Sequence, residues 1–291
     1  MAEPLVSIDD LRRMLVGFSA LQDDVSDFVN DSGYNPHSGS LGAIELAEAV
    51  DRESIFTAFS QGSLLLESAA DHAHALLQIL RPPVSTMAPW TLVRAGLESA
   101  ALSCWLLAYD IGRRERIGRS MAFRHEDLSQ QLKFARSNSN EPARQHISKQ
   151  IDELEQEAIF LGYPLVHNKA GKRTGIGQRM PTATESIRML LGTETTYRML
   201  SGIAHSHPWA LIQVGFRAPD PKVPTMLTKH LSKASAGWLL MHAADILARP
   251  VWEKTLLYGF DRQRLESLLE TRYEEIGYAE ARFFWRKRMS S

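Results

Sequence analysis

The sequence predicts an all-α protein, a multi-helix bundle from which one long helical hairpin projects. Apolar residues recur every three or four positions along most of the chain, and almost nowhere do they alternate with the period of two that marks a strand. Clusters of Gly, Pro, Ser and Asn separate the periodic segments, which is the composition of turns between helices. The chain has 291 residues, 44% of them apolar and 23% charged, with a formal net charge of -1. That length and balance describe a foldable chain with a large core and exclude a mostly disordered one.

The first helix opens at Ser7, whose spacing to Asp10 suits an N-terminal cap, and Leu11, Leu15, Phe18, Leu21, Val25 and Phe28 follow at helical period to about Asn30. Residues 31–39 form a loop rich in Gly, Pro and Ser. Helical pattern then runs from Leu41 to Leu80 with a break expected near Gly62, and Arg81-Pro82-Pro83 ends it. Trp90 to Tyr109 is the most apolar segment and is expected at the centre. Gly112 to Asn138 and Glu141 to Leu161 read as the hairpin (residues 112–161) with a solvated outer face, followed by a flexible basic loop at 162–181. A capping box at Thr182 and Glu185 starts a short helix to Leu191, and Thr193 to His205 forms the next, closed by Pro208. Residues 218–224 read as a proline-rich linker, and two further helices are expected over Thr225 to Ala248 and Asp261 to Arg288. No internal repeat or compositional boundary divides the chain, so residues 1–291 are expected to form one domain.

Charge and cysteine content narrow the functional classes. The single cysteine, Cys104, excludes an internal disulfide and a thiolate cluster, and near-neutral charge argues against a general nucleic-acid coat. The longest uncharged apolar run, Ala100 to Tyr109, is about half the ~20 residues a membrane-spanning helix needs, so a cytoplasmic chain without membrane contact is expected. The six tryptophans fall mostly at core spacing, which suits packing better than a base-stacking platform. The basic, aromatic end Phe283-Phe284-Trp285-Arg286 suits docking on the core.

Two polar patches interrupt this apolar pattern. Arg94 and Glu98 lie one turn apart on the central helix, where desolvation demands good pairing. They suit either a structural ion pair or one wall of a polar pocket. Arg198, Ser201 and His205 form a stripe at spacings of three and four, with Gly202 beside them allowing close approach of a backbone or ligand. A guanidinium, a hydroxyl and an imidazole in line suit oxyanion binding and proton transfer, although His205 equally suits the end of its own helix. A third set, Asp71 with His74 and His242 with Asp245, together with Glu98, has the carboxylate and histidine spacing of helix-bundle di-iron oxidases, with iron as cofactor.

Arg94-Ala-Gly-Leu-Glu-Ser-Ala, Trp105-Leu-Leu, the Arg113-Arg-Glu-Arg run and Tyr197-Arg-Met-Leu-Ser-Gly-Ile-Ala-His resemble a widespread family of uncharacterised helical proteins from actinobacteria. More distantly, the arrangement is similar to HEPN-type domains, many of them metal-independent ribonucleases or toxins with an Arg followed by a His on a late helix. The resemblance implies an RNA-cleaving or nucleotide-binding protein without a cofactor, as in defence or toxin systems, working as a homodimer. It implies His205 as general acid or base and Arg198 as stabiliser of the phosphate charge, with Ser201 and Glu98 beside them. Arg94, Tyr197, His207, Lys172 and Arg173 are then the substrate-binding positions. A non-catalytic helical binding or scaffold protein is the alternative of a different class.

Overall fold

The computed structural model describes residues 6–49, 52–192, 194–217, 228–229 and 231–276. The chain order is α1 (Ile8–Ser32), α2 (Leu41–Glu48), α3 (Arg52–Ile79), α4 (Ala88–Leu107), α5 (Arg113–Ser137), α6 (Glu141–Phe160), β1 (Leu165–His167), β2 (Arg173–Ile176), α7 (Ala183–Leu191), α8 (Thr195–Ala204), α9 (Pro208–Gly215), β3 (Phe216–Arg217), β4 (Thr228–Lys229), α10 (Lys233–Tyr258) and α11 (Arg262–Glu275). The fold is all-α, with two antiparallel two-stranded ribbons as its only described sheets. Among the described residues, no helix is long and apolar enough to cross a membrane.

Local chemistry sets most helix ends. Ser7 Oγ accepts the Asp10 N–H, and the apolar stripe from Leu11 to Phe28 is buried as its period requires. Thr182 and Glu185 form a reciprocal capping box. Gly259 closes α10 in the left-handed conformation, at a φ of 70°. Helix α4 is the hub and packs against α3, α5, α7, α8 and α10. Its contact with α3 explains a departure from expectation at Gly62. The break falls after α2 instead, and Gly62 sits inside α3, where a Cβ would lie 2.5 Å from Leu107 Cγ. Its missing side chain admits α4, and Ser103 Oγ donates to the Gly62 carbonyl at 2.7 Å.

Other boundaries also differ from those expected. Pro208 opens α9 rather than simply ending a helix, since its missing donor falls at a first-turn position where none is used. Helix α10 begins at Lys233 and runs through Pro250 to Tyr258. Burial of most of its side chains offsets the roughly 3 kcal/mol that an interior proline costs. The basic segment after α6 is a β-hairpin, with Leu165 paired to Ile176 and Ile176 buried, rather than an irregular flexible loop. The expected linker at 218–224 and the chain beyond Ile276, including Phe283 to Arg286, lie outside the described residues.

Within the Arg113-Arg-Glu-Arg run, Arg116 is wholly buried rather than solvated. Its Nε and Nη2 donate to the two Glu45 oxygens at 2.8 and 3.3 Å, Nη1 to the Leu106 carbonyl at 2.8 Å, and Nη2 to the Ile111 carbonyl at 3.3 Å. One guanidinium thus ties α2, the last turn of α4, the following loop and α5. Breaking such a pair strands a buried charge, which costs about 3–5 kcal/mol, whereas replacing both partners with apolar groups costs little or stabilises. Glu45→Ala is expected to lower unfolding stability by about 3–5 kcal/mol in urea denaturation, and Glu45→Leu with Arg116→Met to recover only part of it, because the Leu106 and Ile111 carbonyls then lose their donor. A loss of under about 1 kcal/mol in the single variant would contradict this role.

Candidate functional site

Helices α4 and α8 bring together three of the residues singled out in the sequence. Arg94 Nε donates to Glu98 Oε1 at 2.9 Å, and Arg94 Nη2 donates to the Tyr197 hydroxyl at 3.2 Å. Burial works against the Arg94 charge, but Glu98 and Tyr197 outweigh it and leave its pKa raised. The pair is a tie between two helices with part of its surface in solvent.

Arg198 and His205 are not drawn into that tie. Arg198 is 75% exposed and turns back one helical turn to Glu194 at 3.2 Å. His205 is the C-cap of α8, its backbone N–H donating to the carbonyls of Ser201 and Ile203, and its ring is exposed beside His207, 6.3 Å away between centroids. Ser201 is half-buried on the same helix. The space left by Gly202 is taken by the Trp209 ring rather than a ligand, since a Cβ there would meet Trp209 Cζ2 at 2.8 Å. Trp209 itself is 55% exposed, unlike a core tryptophan.

The di-iron expectation is not met. Asp71 and His74 are exposed on α3, with His74 against Gln78, whereas Glu98 holds Arg94. His242 and Asp245 are buried 3.4 Å apart, with the His242 ring edge-on to Trp238 at 4.0 Å between centroids. Outward α3 residues and inward α10 residues do not share a centre, and among the described residues no three His, Cys, Asp or Glu side chains gather as a metal-holding group.

Lys172 and Arg173 belong to the β1–β2 hairpin. Lys172 is exposed, and Arg173 pairs with buried Glu155 of α6. The second Glu155 oxygen lies 3.6 Å from Nε2 of buried His125 on α5. Neither His125 Nδ1 nor Glu155 Oε1 has a hydrogen-bond partner among the described residues. Burial holds the His125 pKa below its ordinary value near 6.5, and Arg173 adds to that against the opposing pull of Glu155 and Glu126. Arg173 therefore latches the hairpin onto Glu155 beside His125 and does not present a free cation for phosphate.

A second polar constellation lies one to two turns farther along α4. Ala101, Cys104, Trp105 and Ala108 share one face of α4, and Arg249, Trp252, Glu253 and Leu256 share one face of α10, both at the helical spacing of 0, 3, 4 and 7. These faces, with Arg119, Met189, Arg262 and the Tyr109–Asp110 loop, line a cleft of about 630 Å³, within the size range of small-molecule sites. Two cation–aromatic contacts flank it. Arg119 sits over Trp105 at 5.4 Å, and Arg262 over Trp252 at 5.2 Å.

Arg119 is fixed by the Trp105 carbonyl at 2.6 Å and by Glu115, whereas Arg262 is 59% exposed and, among the described residues, has Glu266 at 2.9 Å as its ion-pair partner. On the acidic side, Glu253 Oε2 accepts the Tyr109 N–H at 3.2 Å. Burial pushes the Glu253 carboxyl up, with Tyr109 N–H and Arg249 countering and Asp110 adding. Burial likewise pushes the Cys104 thiol well up, so it stays protonated and unreactive.

The cleft residues were not singled out from the sequence, although the two matching helical faces were readable there; Arg119 was hidden in the run expected to be solvated. Comparison of the chain with protein-family models, with curated proteins and with solved structures finds no match.

For the hairpin latch, the depressed His125 pKa has a pH consequence. The unfolded chain protonates near pH 6.5 while the native state resists, so native stability declines as pH falls from about 6.5 towards the native value. An NMR titration is expected to show His125 titrating below 6.5, and Arg173→Ala to raise its pKa by removing the nearby cation. A His125 pKa above 6.5 in the wild-type protein, or no rise in the variant, would contradict the assignment.

Proposed function

We propose that the protein binds a small anionic molecule with a flat, partly apolar body, of the nucleotide class, in the α4–α10 cleft. The observation that carries this reading is the pairing, across one cleft, of two indole walls with two guanidinium groups. Arg119 is preorganised by a main-chain carbonyl and provides a fixed positive charge. Arg262 is held by an exposed pair one turn away on its own helix, worth only about 0.2–0.5 kcal/mol. A phosphate that accepts two of its N–H groups is a stronger partner than Glu266 at that site. Met189 and Leu256, with the small exposed parts of Trp105, Trp252 and Ala101, supply the apolar surface for the rest of the ligand.

This reading takes up the nucleotide-binding half of the function that the sequence suggested. The RNA-cleaving half has less support within one chain, because Arg198 turns to Glu194 and Glu98 is held by Arg94. The half-buried tie at Arg94 and the buried carboxylate at Glu155 then serve architecture.

Isothermal titration calorimetry with GMP and AMP tests the proposal. Binding is expected to weaken about tenfold in Arg262→Ala and to weaken with added salt, as an anion held by guanidinium groups requires. Absence of binding of either nucleotide at millimolar concentration, or binding indifferent to Arg262, would contradict it.

A further inference from the structure

We propose that the cleft is selective for a guanine nucleotide, with the Glu253 carboxylate accepting hydrogen bonds from the N1–H and N2–H groups of the base; this rests on the nucleotide reading of the cleft and deepens it. Glu253 lies on the cleft-facing side of α10, one helical turn from Arg249 and beside Trp252. Its Oε2 accepts one hydrogen bond, from Tyr109 N–H, and among the described residues its Oε1 takes none. A carboxylate has about four acceptor positions, so most of the capacity of this one remains open. In a cleft that partly excludes water, unused acceptor capacity favours a ligand with matching donors and penalises one that brings acceptors.

The common bases differ on this point. Guanine places two donors side by side on one edge, N1–H and the N2 amino group, which matches the two oxygens of a carboxylate. Adenine places its N1 acceptor next to the N6 amino group, and cytosine its N3 acceptor next to the N4 amino group. Either would set a ring lone pair against a carboxylate oxygen. Hypoxanthine retains N1–H but lacks the N2 donor.

The charge layout of the cleft agrees with such a two-ended ligand. Glu253 and Asp110 supply the negative charge beside the Tyr109 loop, with Arg249 one turn from Glu253, and Arg119 and Arg262 carry positive charge beside the two indoles. A purely cationic ligand would satisfy the first and be opposed by the second. Burial already pushes the Glu253 carboxyl up, and two ligand donors stabilise its ionised form.

Wild-type protein and Glu253→Gln, each checked for native unfolding behaviour, are titrated with GMP, IMP and AMP by calorimetry. The wild type is expected to bind GMP about tenfold or more tightly than AMP, with IMP between them. Glu253→Gln is expected to collapse or invert that preference, because its amide places a donor against a guanine donor, whereas the same amide can donate to adenine N1 and accept from the N6 amino group. Equal affinity for GMP and AMP in the wild type, or an unchanged ratio in a folded variant, would overturn guanine selectivity and leave the nucleotide reading standing. Failure of the wild type to bind any of the three would overturn both. The wild-type ratio decides the question even if the variant does not fold.

Discussion

Much of this structure depends on one buried guanidinium. Arg116 has no exposed surface and is bound by Glu45 of α2 and by the carbonyls of Leu106 and Ile111. An ion pair at that depth stabilises only if its geometry is good and its remaining donors are used, and here four of the five guanidinium N–H groups are bonded. The two carbonyls are at the last turn of α4 and in the loop that follows, where main-chain acceptors would otherwise lack partners. Arg116 therefore satisfies a helix end, sets the direction in which α5 leaves, and seats α2 with a single side chain.

The same constraint shapes the cleft. With the loop after α4 pinned through Ile111, Tyr109 presents its N–H to Glu253 on α10. With the start of α5 pinned, Arg119, one turn beyond Arg116, lies across Trp105 and bonds its carbonyl. One wall of the cleft is thus held by a buried charge and not by loop contacts alone. Arg262 reaches the opposite wall from α11, and its exposed partner Glu266 leaves it more freedom than Arg119 has. A site with one fixed cation and one adjustable one can be preorganised without being closed.

Helix periodicity, caps and turn composition carried the architecture into the sequence, so α1, α4, the α5–α6 hairpin and the capping box at Thr182 were legible with near-correct ends. Two boundaries differ for a common physical reason, since the break expected at Gly62 and the helix end expected at Ala248 are both decided by packing rather than by local propensity. Gly62 makes room for Leu107, and burial carries α10 through Pro250. The tie of Arg94, Glu98 and Tyr197 was legible in part, because four-residue spacing on an apolar helix demands a partner, although not which one. The cleft was harder to see. Arg119 and Arg262 stand in charged runs that look like solvated faces, and only the tertiary arrangement puts Trp105 and Trp252 under them. The pairing of His125 with Glu155 joins residues thirty positions apart, which no spacing rule detects.

The most direct test of the α4–α10 cleft as the ligand site is an indole-resolved NMR titration of protein labelled at tryptophan with 15N, with GMP as the probe. Trp105 and Trp252 line the cleft, Trp90 lies against the half-buried Trp238 at 5.2 Å between centroids, and Trp209 is exposed. The account predicts saturable shifts of the Trp105 and Trp252 indole signals while those of Trp90 and Trp238 stay in place. Unmoved Trp105 and Trp252 signals, or a saturable shift at Trp209 instead, would contradict it.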